Sequence, residues 1–172
     1  MNRKHVLFIT LLMAFLQTKA QQVNGIVNDF VKGADVGFLM GQEQRGVVFH
    51  DRNGKERECL ELLENDYQIS AIRMRVWVNP PAGDCNKDAL LAMAKRVKDL
   101  GMDLMVDFHY SDWWADPAKQ PIPKAWLGHS FEEMKQDLRH HTKEVLSLLK
   151  ENGITPNGCR LETRLPMVCF GV

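Results

Sequence analysis

Between residues 34 and 152 the chain alternates short apolar runs of strand character with longer segments whose apolar residues recur at helical spacing. That alternation leaves few folds open, because parallel strands need crossover connections long enough to carry the chain back to the same end of the sheet. Residues 34–39 read as the first strand and 56–65 as the first helix, with Cys59, Leu60, Leu62 and Leu63 on its inner side. Between them, Val47-Val48-Phe49-His50 runs into Asp51-Arg52-Asn53-Gly54, and Asn-Gly supplies the positive φ angles of a tight turn, so a small hairpin insertion is expected. Asp51 and Asn53 also look like the start of a calcium loop, but Leu62 stands at its twelfth position, where an acidic ligand is required.

Residues 71–78 alternate as a second strand with Arg73 and Arg75 in its interior, and Asn79-Pro80-Pro81-Ala82-Gly83 breaks it. Leu90, Leu91, Met93, Ala94, Val97 and Leu100 give a helix over 87–100, which Gly101 is placed to end. Residues 103–109 form the third strand. The loop 110–129 that follows is rich in Trp, Asp and Pro, and long loops of this kind usually carry function. Ser130 opens the next helix with Glu133 completing a capping box, and Phe131, Met134, Leu138, Val145, Leu148 and Leu149 are expected inward until Asn152-Gly153 stop it. A fourth strand is expected near Ile154.

Composition narrows the partners. With 45% hydrophobic and 26% charged residues, disorder, collagen and coiled coil are excluded. Charge is balanced, 22 Lys+Arg against 22 Asp+Glu, and no local basic patch interrupts it, so neither nucleic acid nor a membrane surface is an expected partner. Residues 1–20 stand apart: Arg3-Lys4-His5 precede an apolar run over 6–16 and a polar stretch ending at Ala20, with small residues at Thr18 and Ala20 before a cut. They are expected to be a secretory signal peptide, since the run is too short for the roughly 20 residues that span a bilayer. The mature chain is then expected to be soluble, secreted or periplasmic. Export permits disulfides. The four cysteines, Cys59, Cys85, Cys159 and Cys169, fit no metal-ligand spacing; for Cys59 and Cys85 a bridge and two separate small apolar side chains are both open.

Arg73-Met-Arg-Val-Trp-Val-Asn-Pro80, then Asp107-Phe-His-Tyr-Ser-Asp-Trp-Trp-Ala-Asp-Pro117, Lys119-Gln120 and Pro123-Lys-Ala-Trp126 together resemble the glycoside hydrolase family of arabinogalactan endo-β-1,4-galactanases. The resemblance runs from Gly33 to Pro156, the N-terminal portion of a family catalytic domain. Gly37 stands where the family usually has Ser, and Trp113 where it often has Thr. The implied fold class is α/β, the first three strand–helix units of a (β/α)8 TIM barrel, incomplete because such a barrel takes about 250 residues. The implied activity is retaining hydrolysis of β-1,4-galactan in arabinogalactan or pectin side chains, with a polysaccharide substrate and no cofactor. Residues 21–156 would be the N-terminal part of that barrel.

The residues themselves fit a sugar-binding cleft. Arg73 can orient a carboxylate through its fork, and the resemblance places its position in the active site, whereas Arg75 is expected in a structural ion pair. His109, ending the third strand, reaches where it can bond a sugar hydroxyl or a carboxylate. Trp113, Trp114 and Trp126 offer flat apolar faces with a donor at the edge, although Trp126 reads equally as core. Asp112 and Asp116 can accept from sugar hydroxyls or cap turns. No phosphate loop, nucleophile elbow or metal spacing is present. An open three-unit sheet is expected to leave barrel-facing residues such as Ile72, Val76, Leu104 and Val106 uncovered.

Retaining glycosidases need two carboxyl groups about 5–5.5 Å apart, and the family sets its two glutamates at the ends of the fourth and seventh strands. Residues 157–172 carry only Glu162 and show no strand pattern. One legal set of codons for 157–171, read two bases later, translates as WVQVGNETADGMLW, a family-like fourth strand with its Asn-Glu pair. Residues 157–172 are therefore expected to be an out-of-frame tail created by a frameshift just after Pro156, and the chain as written is expected to be inactive.

Overall fold

The computed structural model describes residues 30–115 and 120–161. The signal-peptide reading, Asp116 and the tail beyond Leu161 lie outside the described residues. The chain divides into two units, Met1–Lys32 and Gly33–Val172; of the first, residues 30–32 are described and form no regular element.

The second unit is built on four parallel strands in sequential order: β1 (Gly33–Asp35), β4 (Ala71–Val76), β5 (Asp103–Phe108) and β6 (Gly158–Leu161). Between β1 and β4 come α1 (Leu39–Gln44), the antiparallel pair β2 (Phe49–His50) and β3 (Glu56–Arg57), and α2 (Cys59–Asn65). The first strand is thus shorter than 34–39, since Leu39 already starts a helix and enters the core. The first helix begins three residues later than expected, because Glu56 and Arg57 close the hairpin. Asp51 Oδ1 accepts the amides of Asn53 at 2.8 Å and Lys55 at 3.0 Å, which commits that side chain to the turn.

Helices α3 (Lys87–Asp99) and α4 (Phe131–Glu151) complete the second and third units. Each has the start that its sequence calls for: Asn86 accepts from the Ala89 amide at 2.8 Å, and Ser130 and Glu133 form the reciprocal capping box. Gly101 takes a φ of +71° directly after the α3 cap, a conformation that a side chain resists. Arg96 on α3 donates to both Glu43 oxygens, at 2.8 and 2.9 Å, and to Glu58, so one guanidinium ties α1 and the start of α2 to α3. Lys87 and Glu144 join α3 to α4.

The faces of the sheet are the reverse of the expected ones. Ile72, Val76, Leu104 and Val106 are at most 3% exposed and belong to the core with Met93, Val97, Val145 and Leu149 of the helices. They point to the helical layer, each contributing roughly 1.5–3 kcal/mol by burial, while the alternate positions Arg73, Arg75, Met105 and Asp107 face the other way. A second difference lies in α4, where Phe131 is exposed and His141 is buried. Phe131 instead carries the Lys135 ammonium over its ring, 5.5 Å from the centroid.

The third difference is β6. Gly158-Cys-Arg-Leu161 pairs with Met105–Phe108 although it has no apolar pattern. Register comes from Asn157, whose amide donates to Leu104 O at 2.8 Å while its Oδ1 accepts the Leu104 amide at 3.1 Å. Backbone pairing along the open edge of β5 supplies what side-chain patterning does not. Among the described cysteines, Cys59, Cys85 and Cys159 are free thiols; Cys85 sits buried with its Sγ donating to Gly37 O at 3.0 Å, and burial pushes its pKa up to about 11.

Candidate functional site

Strand register brings the polar residues together. Asp35 stands opposite Arg73 across β1 and β4, and Arg75 stands opposite Asp107 across β4 and β5. Arg73 donates to Asp35 Oδ2 from Nε at 2.9 Å and approaches it with Nη2 at 2.8 Å, while its Nε lies 3.5 Å from Asp107 Oδ2. The same Asp107 oxygen meets His109 Nε2 at 3.4 Å and Arg160 Nη1 at 3.6 Å. Burial raises the pKa of Asp107, but the hydrogen bond and charge of His109, with Arg73 and Arg160, outweigh it and hold the carboxyl below its ordinary value. Among the described residues Asp107 Oδ1 has no hydrogen-bond partner. The array is thus two carboxylates threaded between cations, with acceptor capacity left over in a buried place.

Aromatic rings adjoin it. Val76 O accepts the His109 amide, Val78 N donates to Ser111 O, and Ser111 Oγ takes the Trp113 amide at 3.3 Å, so the loop leaves β5 along the end of β4. Trp77 is fully buried, with Trp113 at 5.1 Å and Trp114 at 5.8 Å between centroids. Phe38 lies 5.7 Å and His109 6.3 Å from Trp114. Trp113 and Trp114 are 49% and 44% exposed, which leaves an indole surface of each to solvent.

Of the residues singled out in the sequence, His109, Trp113 and Trp114 therefore lie beyond the carboxyl ends of β4 and β5, and Arg73, in the middle of β4, connects to them through Asp107. Trp126 does not join them: it closes a 3-10 turn (Lys124–Trp126), is 9% exposed and packs against Tyr110 at 6.5 Å, the core alternative. Asp112 has one oxygen on the Asn79 amide at 3.0 Å and the other on the Lys124 amide at 2.8 Å, which latches the two loops together. Sequence reasoning missed Asp35, Phe38, Trp77, Asp107 and Arg160 as members of the cluster. Asp35 and Asp107 had one available signal, a polar residue inside an apolar strand.

Glycosyl hydrolase family 53 matches residues 31–161. The chain belongs to that family. Among relatives, a protein of Niallia circulans described as an uncharacterized protein in the bgaB 5' region is 44% identical over 128 residues, covering 74% of this chain and 35% of its own length. The endo-beta-1,4-galactanase of Bacillus subtilis is 37% identical over 142 residues, covering 78% of this chain and 33% of its own. Of solved structures, the Ignisphaera aggregans GH53 catalytic domain superposes with a TM-score of 0.71 at 33% identity, covering 76% of this chain and 38% of that one. This family 53 chain spans about a third of the length of the curated relatives it matches, and its parallel sheet with helices is a partial barrel. Among the described residues no helix is long and apolar enough to cross a membrane, and no His, Cys, Asp and Glu side chains gather as a metal-holding group.

Proposed function

We propose that Gly33 to Leu161 is the substrate-binding beginning of a secreted endo-β-1,4-galactanase barrel, acting on β-1,4-galactan of arabinogalactan or pectin side chains by a retaining mechanism. The observation that carries this reading is the pair of half-exposed indoles, Trp113 and Trp114, set beside the Asp35–Arg73–Asp107–His109 array, which runs from the middle of β4 to the carboxyl end of β5. Indole faces take the apolar faces of pyranose rings, and ion-paired carboxylates and guanidinium groups take their hydroxyls. Carboxyl ends of barrel strands are where such enzymes place their sites. The name of the Bacillus subtilis relative, an endo-beta-1,4-galactanase, supports the substrate class.

Cleavage needs a proton donor and a nucleophilic carboxylate. In this reading neither is contributed by the described residues: Asp35 is taken up by Arg73 and the Gly37 amide, and the cations around Asp107 hold its carboxyl below the ordinary value. The 172-residue chain is then a galactan binder without hydrolytic activity. A non-catalytic galactan-binding fragment is the second reading, and it gains from the orientation of the sheet, whose other side carries ion pairs rather than the apolar patch expected. Titration calorimetry of the purified chain with soluble β-1,4-galactan, beside a reducing-end assay, tests both halves. Saturable binding without new reducing ends is the expected result; no heat of binding overturns the carbohydrate reading, and release of galacto-oligosaccharides overturns the inactivity.

A further inference from the structure

Arg75 has the ion pair expected of it, with Asp35, but that pair is a small part of its surroundings. Its side chain is 5% exposed, yet among the described residues its one ion pair, Nη2 to Asp35 Oδ2, is long at 3.4 Å, and Nε and Nη1 have no hydrogen-bond partner there. A buried guanidinium so poorly paired with carboxylates bears a desolvation cost that must be offset elsewhere. Three rings surround it: Cζ lies 4.0 Å from the centroid of Trp114, 5.3 Å from Phe38 and 5.7 Å from Trp77. The planar, weakly hydrated guanidinium suits stacking on an indole face in a way that an ammonium does not. Space for it is made at Gly37, where an added Cβ would come 3.2 Å from Nη1 and 3.4 Å from Asp35 Oδ1.

We propose that Arg75 is the positioning residue of the sugar platform: stacked under one face of Trp114 and bracketed by Phe38 and Trp77, it fixes the angle at which the other indole surface meets a β-1,4-linked galactose ring. This deepens the carbohydrate reading above and rests on it for the ligand, though not for the stack. Trp114 lies on a loop rather than a strand, so without a rigid base its indole would sample several rotamers and lose binding through ordering entropy. Asp35 serves both arginines from Oδ2, which accepts from Arg73 and Arg75, while its Oδ1 accepts the Gly37 amide at 3.0 Å. Gly37 and Arg75 therefore form one unit: the glycine leaves room, and the guanidinium fills it.

The test uses the whole 172-residue chain labelled with ¹⁵N, with indole signals assigned by the single substitution Trp114→Phe, and measures binding of β-1,4-galactotetraose by calorimetry. Arg75→Lys keeps the charge and loses the plane; it is expected to move the Trp114 indole resonance, leave that of Trp126 in place, and weaken binding about tenfold. Trp114→Ala is expected to weaken binding as much, and the double variant no further than Trp114→Ala alone. Should Arg75→Lys lose its sheet signal in circular dichroism, Gly37→Ala, which presses on Nη1, must show the same two effects in smaller measure. A Trp114 resonance unmoved by these changes overturns the proposal, as does a binding loss that adds to that of Trp114→Ala. If the parent chain binds no galactotetraose, the carbohydrate reading fails, and the resonance alone decides whether Arg75 places Trp114.

Discussion

Asp107 is the residue on which the strand-end cluster converges, and its chemistry makes the folded state acid-sensitive. Its pKa lies below the ordinary carboxylate value, so the unfolded chain takes up a proton before the folded one does. The stabilisation is complete above about pH 4, the unfolded value, and is lost as pH falls through the folded pKa. Asp107→Asn is expected to cost roughly 1–3 kcal/mol at neutral pH and to flatten the fall in stability below pH 4, as read from urea unfolding at several pH values. An unchanged slope would place the acid sensitivity elsewhere. At this scale the sequence was readable where a residue type is rare in its setting: two arginines inside a strand called for partners, and they have them. It was not readable where the partner depends on register. Asp35 is separated from Arg73 by most of the first unit, and only the pairing of β1 with β4 puts them face to face. Nor could sequence decide Trp126 against Trp113, since both sit in one loop and only the packing of Tyr110 over Phe108 covers the first.

Helix α4 shows the same limit for an element. Its capping box and glycine stop were legible because each is a local reaction of side chain and backbone. Its inward stripe was legible at Val145 and Leu149, which are buried, but Phe131 is exposed and His141 takes a buried place that no apolar period marks. His141 is 7% exposed, stands edge-on to Phe108 and Tyr110, and leaves Nε2 without a partner. Burial lowers its pKa, as do Lys87 and His140, while Glu144 opposes them. The unfolded chain therefore binds a proton near pH 6.5 that the folded chain refuses, and stability falls as pH drops below that value, by at most about 1.4 kcal/mol per pH unit. His141→Phe removes the group and is expected to abolish this slope between pH 5 and 7 in denaturant titrations, leaving the Asp107 region below pH 4 unaltered. A slope that survives in the variant would assign it to another histidine.

For the whole molecule the class of fold was legible because alternation of strand and helix admits a parallel sheet and little else. The orientation of the sheet was not, because a strand buried on one side by helices and filled on the other by ion pairs carries no single period. Strand β6 adds a consequence for the gene. Its pairing sets Leu161 level with Phe108, so the next residue of a continuing strand falls level with His109. In the frame two bases on, Val-Gln-Val-Gly would occupy the slot of Gly158–Leu161, and the Asn-Glu pair would come directly after it, beside His109 and the Asp107 carboxylate. The family resemblance implies one of the two glutamates at the end of the fourth strand, and that slot is reached without moving any backbone of β5. Sequencing the source locus from the Ile154 codon onward is expected to return codons that read WVQVGNE in that frame and continue with further strand–helix units. A chain carrying the shifted frame should then release galactose oligomers from β-1,4-galactan, with Glu→Gln at the new pair abolishing release. Codons for 157–171 that fail to give this strand two bases on would remove the frameshift and leave Arg160, paired with Asp107, as a native member of the site.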